Sequence, residues 1–171
     1  MTKIKEIKHI AFNDKAAVKK EIDNFIKKYA YVDVEHALEI SPNGNMYILT
    51  GTKNNVNSEI IGKDALKHSI GIHNHPVPKS KIMGDSFSKQ DLLFAVEYKT
   101  GKQYLVSGKR RDAFIYTGNL SETELYEAYE KAKFNARNNA WENAIEIEYL
   151  QADTMRELMK IIEGFEFYEN F

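Results

Sequence analysis

The chain has 171 residues, about one domain at roughly 100–200 residues each, and 43% are hydrophobic, enough for a core that excludes wholesale disorder. Lys and Arg number 24 against 25 Asp and Glu, so the net charge of −1 excludes a strongly basic nucleic-acid binder. No cysteine is present, which excludes a thiol nucleophile, a disulfide framework and cysteine-held zinc or iron–sulfur centres, and leaves His, carboxylates, carbonyls and water to hold any metal.

The first residues, Met1-Thr2-Lys3-Ile4-Lys5-Glu6-Ile7-Lys8, build no apolar signal region. No run approaches about 18 apolar residues, so the expectation is a cytoplasmic chain without a membrane span. Residues 13–29 predict a helix capped by Asn13, with Val18, Ile22, Phe25, Ile26 and Tyr29 on one stripe. Residues 31–40 predict a strand with Val32, Val34, His36, Leu38 and Ile40 on one face. The turn cluster Ser41-Pro42-Asn43-Gly44-Asn45 and a return strand over 46–50 complete a hairpin. Residues 52–60 read as polar loop, 62–68 as a short helix and 69–73 as a short buried strand. Ser88 opens a helix to about Tyr98, and 102–108 and 111–117 are two strands around the turn Gly108-Lys109-Arg110. From the capping box Ser121-Glu122-Thr123-Glu124 to about Gly164 the pattern is helical, with a break expected near Asn138-Asn139 or Asp153. This order makes the chain mixed α/β around a sheet.

One segment concentrates chemistry: Ile72-His73-Asn74-His75-Pro76, followed by Ser86-Phe87-Ser88-Lys89-Gln90-Asp91. Side chains two apart on a strand point the same way, so His73 and His75 project together. Pro76 stops the strand, and Asp91 in the first turn of the next helix can fold back toward them. Two imidazoles, one carboxylate and an open position are the composition of a catalytic zinc site. Ser88-x-x-Asp91 is also a helix cap, a reading compatible with the first because a cap fixes Asp91. His9, His36 and His68 have no partners at ligand spacing and read as core or surface residues. Arg110 and its basic neighbours read as a solvated hairpin tip, and Trp141 as a core residue. The aromatic tail Phe165-Glu166-Phe167-Tyr168-Glu169-Asn170-Phe171 is expected to dock back on the domain.

The His-x-His-Pro and Ser-x-x-Asp pieces, with Glu35 upstream in Val34-Glu35-His36-Ala37-Leu38, resemble the JAMM motif of the JAB/MPN metalloprotease superfamily. The wording is similar to bacterial and phage JAB domains and to the RadC branch. The resemblance covers roughly residues 12–118 and implies a JAB/MPN-like curved sheet flanked by helices. It makes 1–118 the metalloprotease domain. Residues 119–171 are a C-terminal helical extension, packed on the core or used for self-association. It also implies Zn2+ held by His73, His75 and Asp91, Glu35 as general base, and Ser88 as donor to the oxyanion, with Ser86 as the alternative. Glu39 shares a strand face with Glu35, and its place near the turn predicts solvent around it. Twelve residues separate His75 from Ser88, more than in the family's motif. Lengthening a loop costs little closure entropy, so the site is retained and 77–87 reads either as a substrate-facing flap or as a surface loop.

The implied activity is hydrolysis of a peptide or isopeptide bond in a phage or bacterial setting. The partner is a protein or peptide substrate, with no nucleic acid or membrane. Two alternatives remain: a catalytically inactive MPN-fold binding module, against which every motif position is retained, and a metal-dependent nuclease, against which stand the spacing and the charge.

Overall fold

Leu38, Ile40, Ile72 and Val106 alternate with Ala37, Glu39, His73 and Leu105 along three neighbouring strands, and this two-residue period sends two sets of side chains to opposite faces of one sheet. The computed structural model describes residues 1–76, 86–142 and 150–171. Among these, seven strands form an open sheet: β1 (Lys3–His9), β2 (His36–Ile40), β3 (Asn45–Thr50), β4 (Ile70–Asn74), β5 (Lys102–Ser107), β6 (Arg110–Tyr116) and β7 (Phe165–Glu169). Their spatial order is β1-β3-β2-β4-β5-β6-β7. The helices are α1 (Lys15–Tyr29), α2 (Lys63–Leu66), α3 (Lys89–Tyr98), α4 (Glu122–Glu142) and α5 (Leu150–Leu158). Neighbouring strands are antiparallel except β4 and β5, a parallel pair with α3 between them in the chain.

The helix α1 covers one face, where Val18, Ile22, Phe25 and Ile26 pack with Leu38, Ile40, Ile72 and Val106. On the other face α3, α4 and α5 bring Leu92, Leu125 and Met155 onto Leu105 and Phe114. Residues after 118 therefore share a core with those before it, and β7 adds a strand to the same sheet. No helix among the described residues is long and apolar enough to cross a membrane.

Several local expectations are corrected. The cap of α1 is Asp14, not Asn13: its carboxylate accepts the Ala16 and Ala17 N–H groups, each at 3.0 Å. The strand expected over 31–40 begins only at His36. β1 was hidden because Ile4 and Ile7 stand three apart. An irregularity between Ile4 and Glu6 places Ile4 opposite Leu49 and Ile7 opposite Tyr47, on one face. α4 runs through Asn138 and Asn139 to Glu142, and Asp153 lies inside α5. Trp141 is 88% exposed, because the buried stripe of α4 ends at Ala140 and the next residue points about 100° away from it. Arg110 is no solvated tip residue: it donates to Asp112 at 2.8 Å and to Glu169 at 2.7 Å. The aromatic tail docks as β7, with Phe165 against Phe114 and Tyr116. The expected flap at 77–87 lies outside the described residues except for Ser86 and Phe87, both fully buried.

Because Leu125 is fully buried between the helices and the sheet, Leu125→Ala should lower the free energy of unfolding by about 2–5 kcal/mol. Urea unfolding, followed by far-UV circular dichroism, measures it.

Candidate metal centre

β4 lies between β2 and β5, with His73 opposite Ala37 on one side and Leu105 on the other. After Asn74 the chain stays extended for one more step, since His75 N–H donates to Val106 O at 3.0 Å. Both imidazoles therefore emerge on the side of the sheet that α3 covers. Ser88 is the N-cap of α3, and Asp91 is the third residue of the helix. The Ser88 N–H and hydroxyl each donate to Asp91 Oδ2 at 2.7 Å, while Asp91 N–H reaches back to Ser88 Oγ at 3.3 Å. Asp91 Oδ1 then lies 3.3 Å from His73 Nε2.

The fold thus brings together His73, His75 and Asp91. The two Nε2 atoms are 3.2 Å apart, and His75 Nε2 is 3.8 Å from Asp91 Oδ2. The three groups could hold a metal ion, since one ligand atom from each lies within 4.8 Å of the others. Ligands about 2.0–2.1 Å from a tetrahedral centre lie about 3.3–3.4 Å apart, so these separations and this nitrogen and oxygen donor set fit one ion. Their side chains are 12–22% exposed, so the described residues keep the three groups mostly dry.

Electrostatics favour the ligating forms. Burial, reinforced by His75, pushes the His73 imidazole down to about 4 against the pull of Asp91, so it is neutral at pH 7. Burial alone would raise Asp91, but the two imidazoles and the Ser88 donors hold it below the usual carboxylate range.

These groups line a cleft of about 950 Å³ together with Glu35, Glu39, Ser88 and the loop at 53–59. Burial, with repulsion from Asp91, raises Glu35 to about 7, against a lowering hydrogen bond from the Val56 backbone. Ser88 stands at the cleft with its hydroxyl committed to Asp91, and Ser86 is buried away from it. Glu39 overturns its expected solvent exposure. It is 3% exposed, and its two oxygens accept from Ser58 Oγ at 3.1 Å and Ser69 Oγ at 3.2 Å. The chain turns Glu39 inward because Gly71 opposite leaves room: a Cβ there would come within 2.5 Å of Glu39 Oε2 and 2.2 Å of Gln103 Oε1.

Sequence reading missed Asn74, whose carboxamide is fully buried and bonds to both neighbours of Glu35. The available signal was a polar residue completing the otherwise apolar alternation Ile70, Ile72, Asn74. Comparison with protein-family models, with curated proteins and with solved structures yields no match.

Two outcomes are expected. Metal-free chain should take up about one equivalent of zinc, and a His73→Ala, His75→Ala double variant should take up none, as measured by elemental analysis after gel filtration. Glu39 gives a pH signature in the metal-free protein. Its folded pKa, raised by burial to about 7 from an ordinary 4.5, means that the folded state holds the proton more tightly than the unfolded state. That contribution to stability is complete below about pH 4.5 and is lost as the pH rises through about 7. Glu39→Gln should therefore flatten the fall in the urea midpoint between about pH 5 and pH 8.

Proposed function

We propose that the chain is a zinc-dependent hydrolase of peptide or isopeptide bonds with a JAB/MPN-like fold. The observation that carries the reading is Glu35: a half-buried carboxyl, shifted to about 7, in the residue before β2 and in the same cleft as the triad. A carboxyl in that position matches the proton-transfer partner that metal-assisted hydrolysis needs beside a ligand set with an open position.

His73, His75 and Asp91 would hold a zinc ion, which when bound would supply a nucleophilic water at neutral pH and polarise the scissile carbonyl. Glu35 accepts a proton from the attacking water and returns it to the departing amine. Ser88 orients Asp91 through its hydroxyl and amide. Turned toward the cleft, the same hydroxyl would be the oxyanion donor that the resemblance assigns to it. The lining also argues against a phosphodiester substrate. Among the described residues, Asp33, Glu59, Asp91 and Glu97 line it alongside a single lysine, Lys53, an unfavourable field for a polyanion.

The decisive variant is Glu35→Gln. It should keep one zinc per chain and the wild-type unfolding midpoint while losing hydrolysis by a factor on the order of 10²–10⁴. Mass-spectrometric comparison of peptides released in cells expressing either form identifies the substrate. Equal processing by both forms would refute the assignment.

A further inference from the structure

The residue between the two histidines ties the metal site to the strand beside it. β2 and β4 pair regularly only from Ile40 with Ile70 to Ala37 with His73. One step further, β4 keeps company with β5: Asn74 pairs with Val106, and His75 N–H donates to Val106 O. The ladder to β2 ends where the ligands begin, and there the Asn74 carboxamide takes over. Its Oδ1 accepts the His36 N–H at 2.7 Å, and its Nδ2 donates to Val34 O at 3.1 Å. These two backbone groups flank Glu35 on one edge of the chain. On the other edge Glu35 N–H donates to Thr52 O and Gly51 N–H donates to Glu35 O, both at 2.8 Å.

A carboxamide offers the same donor and acceptor as a peptide group, so Asn74 extends the ladder by one step with a side chain. Two bonds from one planar group, on either side of Glu35, leave its backbone little freedom to rotate. We propose that Asn74 is a positioning residue that sets the Glu35 carboxyl against the His73–His75–Asp91 triad by bridging the divergence of β2 and β4. The inference rests on the metal-site reading given above. Other side chains fill the role poorly. Aspartate has no donor for Val34 O, serine is too short to span both groups, and leucine would leave a buried N–H and C=O unpaired.

Co2+ alone is the probe, because the visible spectrum of the bound ion reports the surroundings of its open coordination position. Asn74→Ala, and Asn74→Ser in case alanine prevents folding, should still bind Co2+, without the roughly 10–100-fold loss of affinity that follows removal of a ligand's own hydrogen-bond partner, since Asn74 bonds to no ligand. Their spectra should match that of Glu35→Gln. Adding Glu35→Gln to either should change nothing further, the non-additivity of a residue that acts through another. Exchange of the His36 amide should accelerate in the same variants. Wild-type spectra in the folded Asn74 variants, or a full further change on adding Glu35→Gln, would overturn the positioning role alone. A folded Asn74 variant that loses Co2+ would overturn it as well, since Asn74 would then support the ligands. If the wild-type protein itself takes up no Co2+, the metal-centre reading fails and this inference fails with it.

Discussion

Asp91 serves two masters with two oxygens. Oδ2 accepts both the amide and the hydroxyl of Ser88 and so closes the N-terminus of α3, while Oδ1 faces His73. A cap of this kind contributes about 1 kcal/mol to a helix. Its larger effect is geometric. A carboxylate buried here has lost most of its hydration, and the two imidazoles, helped by the fixed Ser88 donors, hold it below the usual carboxylate range. The first turn of α3 can therefore present a charged ligand at a set distance from the end of β4. The Leu92 and Ala95 face of the same helix anchors it in the core with Phe114 and Leu125.

The sheet supplies the second half of the arrangement. β4 is the strand where pairing changes from antiparallel, toward β2, to parallel, toward β5. Ligands gather beyond the carboxyl ends of parallel strands because neighbouring connections part there, and in this chain the parting falls at His73, Asn74 and His75. The lip on the β2 side carries Glu35, and the lip on the β4 side carries the imidazoles. The Asn74 carboxamide spans the gap between them without filling the cleft, because alternation sends it to the face opposite both histidines.

How much of this could be read from the sequence follows from the range of the interactions involved. Two-residue alternation was enough to put His73 and His75 on one side, and the Ser88-to-Asp91 spacing was enough to place a carboxylate in the first helical turn. Both are local rules. The buried stripe of α1 was legible for the same reason, though its cap fell one residue later, at Asp14. What escaped depends on distant partners. β1 needed a pairing irregularity opposite β3 to make its two isoleucines face one way. Arg110 needed Glu169, 59 residues away, to become a structural ion pair. The burial of Glu39 needed Ser58, Ser69 and an absent side chain at Gly71, none of them near it in sequence.

The contrast between Glu35 and Glu39 shows why a displaced pKa does not by itself name a base. Glu35 precedes β2 and Glu39 lies within it, both line the cleft, and burial raises both to about 7. Their hydrogen bonds differ. Each oxygen of Glu39 already accepts a hydroxyl, and the group is 3% exposed, so little of it is open to a proton donor from the cleft. Glu35 keeps partial exposure, and repulsion from Asp91 adds to burial in raising it, so it stands within electrostatic reach of the triad. A carboxyl beside the triad changes its proton affinity as charge there changes, whereas one held by two serines answers mainly to the folding of its own surroundings. The residue before β2 therefore keeps its carboxyl open to the cleft and the triad, the one within β2 is sealed by two serines, and their partners across the sheet decide which is which.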